Sequence, residues 1–129
     1  MTVVLGFLGT PESRAALGHA IRECTVHRDD LIVVVPESVA TGGEFTADLA
    51  LAHASLGRQE IGVRQVASED LVGAELVDLS YKDSVDLVVV GLKRRSPVGK
   101  LVLGSMSQKV LLDAQCPVTA VKPPVLPHG

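Results

Sequence analysis

Aromatic residues are nearly absent from this 129-residue chain: it has no tryptophan, one tyrosine and two phenylalanines. Its core must then be built from Val, Leu, Ile and Ala, the residues of buried parallel strands covered by helices, and 47% of the sequence is hydrophobic. A basic surplus is missing too. Twelve Lys and Arg face fifteen Asp and Glu, for a net charge of −3, which excludes general nucleic-acid binding. Cysteine is scarce: Cys24 and Cys116 sit inside apolar patterns without metal-ligand spacing, so they read as reduced, buried thiols of a cytosolic protein rather than a disulfide. No apolar run approaches the roughly 20 residues of a membrane span, and "TVVLGFLG" runs straight into a turn and a helix with no signal peptide before it. The length suits one domain with a real core, in the cytoplasm, with neither membrane nor nucleic acid as partner.

Enzymatic signatures are missing as well. Gly99-Lys100 suggests a phosphate loop of the G-x-x-x-x-G-K-[ST] type. That spacing places Arg94 at the first glycine and Leu101 at the magnesium-binding hydroxyl, so the loop is not one. "GFLG" after the first strand lacks G-x-G-x-x-G, and no G-x-S-x-G is present. His19, His27, His53 and His128 share no ligand spacing, and no carboxylate pair stands out as an acid/base couple. The chain is read as a non-enzyme.

What is present is an alternation of strand and helix from end to end. Val3 to Leu8 reads as a buried strand. Thr10 follows as N-cap, Pro11 as first helical residue and Glu12 at the helix's positive end. Ala16, Leu17, Ala20, Ile21 and Cys24 recur at helical spacing. Leu31 to Val35 is a second buried strand, stopped by Pro36, and Gly42-Gly43 opens a helix with the stripe Phe45, Leu49, Ala52, Leu56. Val63 to Ala67 alternates like an edge strand; Val72, Leu76 and Leu79 mark a third helix. "DLVVVG" is a fourth strand, Leu103 to Ala114 a fourth helix, and "PVTAVK", Pro117 to Lys122, a fifth strand. Together these imply an α/β fold: a doubly wound, five-stranded parallel sheet with helices on both faces. In the order 3-2-1-4-5, the switch point where ligands bind lies between strands one and four, at the loops that begin at Gly9 and Gly91.

The second of these loops carries the strongest chemical signal. From Leu92 to Leu112 there is no acidic residue, but there are Lys93, Arg94, Arg95, Lys100 and Lys109. The stretch ends in Gly104-Ser105-Met106-Ser107, where a helix should start. A helix N-terminus offers unpaired N–H groups and partial positive charge to an anion, and Gly104 lets a ligand approach the backbone. Ser105 and Ser107 can donate hydrogen bonds. Ser105 and Gln108 also fit a capping box, in which they would satisfy the helix's own orphan groups.

Residues 88 to 122, "VVVGLKRRSPVGKLVLGSMSQKVLLDAQCPVTAVK", resemble the C-terminal half of the universal stress protein family, whose signature is G-x2-G-x9-G-[ST] followed by a helix and a "CPV" strand. Gly91 matches the first glycine, Gly104 the third and Ser105 the final hydroxyl; "GTPESRAAL" resembles the family's first helix. The resemblance covers essentially the whole chain, with a segment between strands two and three shorter than is usual. It implies a universal stress protein domain over residues 1–122 and a Rossmann-like, adenine nucleotide alpha hydrolase-like fold, while the tail over 123–129, "PPVLPHG", cannot continue a strand and is expected to be mobile. The resemblance also implies a homodimer through the last strand, Pro117 to Lys122.

In the nucleotide-binding branch of the family, the resemblance places Val35 beside the adenine of ATP, ADP or AMP. It places Val90, Gly91, Gly104, Ser105, Met106 and Ser107 along the ribose-phosphate path. Two positions depart from the pattern: Arg94 replaces the second signature glycine, and Leu8 stands where an aspartate usually contacts the nucleoside. Arg94 either forks onto a phosphate or folds inward and fills the pocket. Two readings follow, a small regulatory protein that binds an adenine nucleotide without substantial turnover, or a dimeric interaction module that has lost its nucleotide.

Overall fold

The computed structural model describes residues 1–94 and 101–123, with the main chain alone at Arg94, Leu101 and Val102. Its elements are, in order, β1 (Thr2–Gly6), α1 (Pro11–His27), β2 (Asp30–Pro36), α2 (Glu37–Ala40), α3 (Gly43–Leu56), β3 (Ile61–Val66), a 3₁₀ turn (Glu69–Leu71) and α4 (Val72–Ser80). After these come β4 (Val85–Gly91), β5 (Lys93–Arg94), β6 (Leu101–Val102), α5 (Ser105–Asp113) and β7 (Val118–Val121). The tail expected to be mobile lies outside the described residues, apart from Pro123.

The aliphatic runs become one sheet, β3-β2-β1-β4-β7, with every neighbouring pair parallel. This is the expected order, with β7 as the fifth strand. Side chains alternate across a strand, so a strand buried on both faces must be apolar throughout. Val3 and Leu5 of β1 join Val33 and Val35 of β2 beneath Ala16, Leu17 and Ala20 of α1 and Phe45, Ala52 and Leu56 of α3. Val4, Val34, Val88 and Val90 face the other way, against Leu76 of α4 and Val110 of α5. The two cores hold the ends of β1 and β4 rigidly beside each other. β3 is an edge strand as expected, but its exposure does not alternate: Gly62 to Gln65 are exposed in a row, between half-buried Ile61 and Val66.

The boundaries shift where a backbone group finds a non-strand partner. β1 ends at Gly6 rather than Leu8. The Phe7 N–H still reaches the Val34 carbonyl at 2.9 Å, but the Leu8 N–H donates to the Ser13 hydroxyl at 2.9 Å, and the chain leaves the sheet. β2 takes in Pro36 as its last residue, opposite Val66, and α2 follows directly. α5 begins at Ser105, two residues later than its apolar pattern suggested. The capping box is corrected: Gly104 is the N-cap, Ser105 is already the first helical residue, and no side chain among the described residues caps this end. β5 and β6 pair antiparallel, Lys93 with Val102 and Arg94 with Leu101, a hairpin that no alternation in the sequence announced.

Candidate functional site

Strand order reverses at β1, whose neighbours β2 and β4 lead to opposite ends of the sheet. The loops after β1 and β4 therefore part and leave a crevice at their carboxyl ends. A cavity of ≈ 190 Å³ occupies it, a second of ≈ 220 Å³ lies beside it between the loop after β1 and the segment from α2 to the start of α3, and Leu8 lines both.

The smaller cavity brings together Gly91, Gly104, Ser105, Met106 and Ser107, all singled out in the sequence. The start of α5 forms its floor. The first helical hydrogen bond there runs from the Gln108 amide to the Gly104 carbonyl at 2.9 Å, which leaves the preceding amides without helical acceptors. A Cβ on Gly104 would meet nothing within 4 Å among the described residues, so packing of the protein itself does not demand glycine there.

Gly91 is glycine for a different reason. A Cβ there would collide with the Glu12 carbonyl group, lying 2.7 Å from its carbon, because the first turn of α1 crosses the end of β4. Met106 seats α5 on β1: a Cβ on Gly6 would fall 2.9 Å from the Met106 sulfur and 2.7 Å from Leu76 Cδ1. Ser107 is 2% exposed and its hydroxyl donates to the Gly91 carbonyl at 3.1 Å, so this hydroxyl locks α5 to β4. Ser107 nevertheless lines the smaller cavity, where the sequence reading placed it.

The turn after β1 is built by α1. Thr10 Oγ1 accepts the Ser13 N–H at 3.2 Å and donates to the Ser13 hydroxyl at 3.0 Å, which itself accepts the Leu8 N–H. Gly9 has φ +74°, a left-handed conformation that a side chain would strain, and its missing Cβ leaves room for Val39 Cγ1 at 3.1 Å. Phe7, Gly9, Val39 and Phe45 line the larger cavity, with the Phe7 and Phe45 rings 5.6 Å apart.

The remaining predicted residues are placed otherwise. The side chains of Val35 and Val90 are fully buried, in cores on opposite faces of the sheet, and neither lines either of these two cavities. Arg94 contributes its main chain to β5, and its side chain lies outside the described residues. Leu8 puts an aliphatic side chain between the cavities at the point where the resemblance leads one to look for a carboxylate.

Sequence reasoning missed several lining residues. Glu12 and Glu69 face the smaller cavity together with Lys93, Thr10 and Ser13. Glu12 had been accounted for by its place at a helix start, and Glu69, in the 3₁₀ turn after β3, belongs to no motif. Only the sheet order carries Glu69 to the crevice. Gly42 and Gly43 read as a helix start, and their position on the wall of the larger cavity had no signal.

Comparison with known proteins agrees with this architecture. The pattern of the Universal stress protein family matches residues 1–122. A "Universal stress protein" of Mycolicibacterium smegmatis is 35% identical over an aligned length of 137 residues, covering 98% of each chain. Among solved structures, a universal stress protein from Archaeoglobus fulgidus superposes with a TM-score of 0.73 at 20% identity, over 95% of this chain and 98% of its own. A universal stress protein solved in complex with cAMP superposes with a TM-score of 0.70 at 25% identity, over 96% and 98%. The sheet order and these neighbours define the adenine nucleotide alpha hydrolase-like fold. With its signature residues gathered at the crevice and its length matched end to end, this chain belongs to the universal stress protein family.

Proposed function

We propose that this protein binds an adenine nucleotide at the β1/β4 crevice and acts as a small cytoplasmic stress-response regulator, without substantial turnover. One observation carries the reading: a helix start at Gly104, without a side-chain cap and with open space above it among the described residues, faces a cavity that adjoins a second one lined in part by Phe7, Val39 and Phe45. A phosphate suits the free amides of Ser105 and Met106, and an adenine suits the lobe of Phe7, Val39 and Phe45. The cAMP complex of a relative with the same fold lends support. Leu8 offers no acceptor to a sugar hydroxyl, which lowers affinity by about 1–3 kcal/mol relative to a buried, paired carboxylate.

The direct test is to denature the purified protein, identify the small molecules released, and then titrate ATP, ADP and AMP while following thermal stability. Released adenine nucleotide at stoichiometric level, or a rise in Tm with added nucleotide, supports the reading. No released nucleotide and no shift up to roughly millimolar ligand overturns it. Incubation with ATP should release no phosphate above background.

The edge position of β7, which pairs with β4 alone among the described residues, motivates a homodimer through that strand. If nucleotide binding fails, the dimer remains as an interaction module, a reading favoured by the apolar Leu8 between the two cavities.

A further inference from the structure

Arg14 stands in the second turn of α1, on the wall of the larger cavity. Its guanidinium reaches three partners from separate parts of the fold. One terminal nitrogen, Nη1, donates to the Gly9 carbonyl at 3.1 Å, and Nη2 donates to Glu44 Oε2 at 3.0 Å. Nε lies 3.3 Å from Asp48 Oδ2. Gly9 belongs to the turn after β1, Glu44 to the first turn of α3, and Asp48 to the next turn of that helix.

These partners differ in solvation. The Asp48 side chain is 15% exposed and that of Glu44 88%, so the first pair resists salt and the second is readily screened. On its inner side the start of α3 is held by Phe45, which packs on Phe7. Gly42 supplies no side-chain cap, and a Cβ on Gly43 would meet nothing within 4 Å among the described residues. The outer side of the helix start therefore depends on Arg14.

We infer that Arg14 is a positioning residue: it straps the start of α3 to the Gly9 turn and thereby sets how fast a ligand leaves the larger cavity. The release half of this inference rests on the nucleotide reading, whereas the strap itself does not.

Both halves are tested in one experiment on the full chain. Amide exchange is followed at residues 47–50, the first hydrogen-bonded amides of α3, in the wild type, Arg14→Gln, Arg14→Lys and Glu44→Gln. Release of a fluorescent N-methylanthraniloyl-AMP is timed by stopped flow on the same proteins. Arg14→Gln should speed exchange at 47–50 and raise the release rate on the order of fivefold to tenfold, with association unchanged. Arg14→Lys should fall between, and Glu44→Gln should show about a twofold effect that disappears in ~1 M salt.

A residue that only supported the fold would lower Tm and leave the release rate of the bound fraction unaltered. Unchanged exchange at 47–50 in Arg14→Gln overturns the inference, as does faster exchange with unchanged release. Should the wild type bind no fluorescent nucleotide, the proposed function fails on its own account, and exchange still decides the strap. Where Arg14→Gln does not fold, Arg14→Lys is read by the same criteria.

Discussion

Two glycines of one motif, Gly91 and Gly104, illustrate how much a single residue's meaning depends on its surroundings. A methyl group on Gly91 would press into the main chain of Glu12, which cannot swing aside. Gly91→Ala should therefore destabilise the protein by about 2–4 kcal/mol in denaturant unfolding, whether or not a ligand is present. Gly104 has open space above it and an extended conformation, φ −69° and ψ 169°, that suits a serine N-cap. Gly104→Ser should raise stability by up to about 1 kcal/mol while weakening nucleotide binding, because its hydroxyl would take an amide that a phosphate needs. Thermal melts with and without AMP separate the two effects.

Asp29 tests the opposite end of the sheet. Burial, and then the charge of Asp86, hold its carboxyl above the ordinary value, while the amino-terminal ammonium 3.9 Å away and His27 pull it back in part. A carboxyl raised by folding ionises at a cost to the folded state. That cost is fully present above its folded-state pKa and vanishes as pH falls below the ordinary carboxylate value. Asp29→Asn should thus be more stable than the wild type near neutral pH, with the difference closing on acidification in a series of denaturation curves.

At the scale of elements, the starts of α1 and α3 were legible, at Thr10 and at Gly42-Gly43, whereas that of α5 was not. Thr10, Pro11 and Glu12 announced α1, and Thr10 indeed accepts the Ser13 N–H. Ser105 and Gln108 suggested a cap for α5 by the same logic, yet Gly104 occupies that place, since the spacing alone does not say which residue leaves the helical conformation first. β1 was overrun by two residues because Ser13 intercepts the Leu8 N–H, a partner five positions away on another element.

The 3₁₀ turn Glu69–Leu71 had no pattern at all, and its Glu69 lines the smaller cavity, where the proposed phosphate would sit. Removing that charge should favour the more highly charged ligand. Glu69→Gln is expected to tighten ATP binding on the order of threefold at low salt and AMP binding less, with both gains lost at ~0.5 M salt. Equal changes for ATP and AMP in calorimetric titrations would show that Glu69 does not act through charge.

For the whole molecule, the edge position of β7 among the described residues is the feature with the widest consequence. The amides of Val88 and Leu92 donate to the carbonyls of Pro117 and Val121, so alternate residues of β7 face β4, and Val118 and Ala120 turn their backbone groups to the open edge. Leu111 and Leu112 of α5, 42% and 75% exposed, add apolar surface close by in the chain. Ala120→Pro removes an outward N–H and leaves the β4 ladder its partners. Sedimentation equilibrium should find the wild type dimeric and this variant monomeric, with little loss of secondary structure.

The sequence by itself determined the layers of this protein. Runs such as "LIVVV" and "LVVV" are short, apolar at consecutive positions and rich in β-branched residues, a pattern that suits a strand covered on both faces, and helical stripes between them complete the α/β alternation. Its glycine-rich signature also marked residues that line the smaller cavity, Gly91 and Gly104 to Ser107, because a helix start that follows a central strand is a local property of the chain. Only the tertiary structure decided what each signature residue does there. Sheet order brings the α1 main chain against Gly91, turns the Ser107 hydroxyl inward, buries Val35 and Val90 on opposite faces, and delivers Glu69 and Arg14 from distant segments. Such contacts join residues far apart in sequence, so their energies depend on packing geometry that no local pattern encodes.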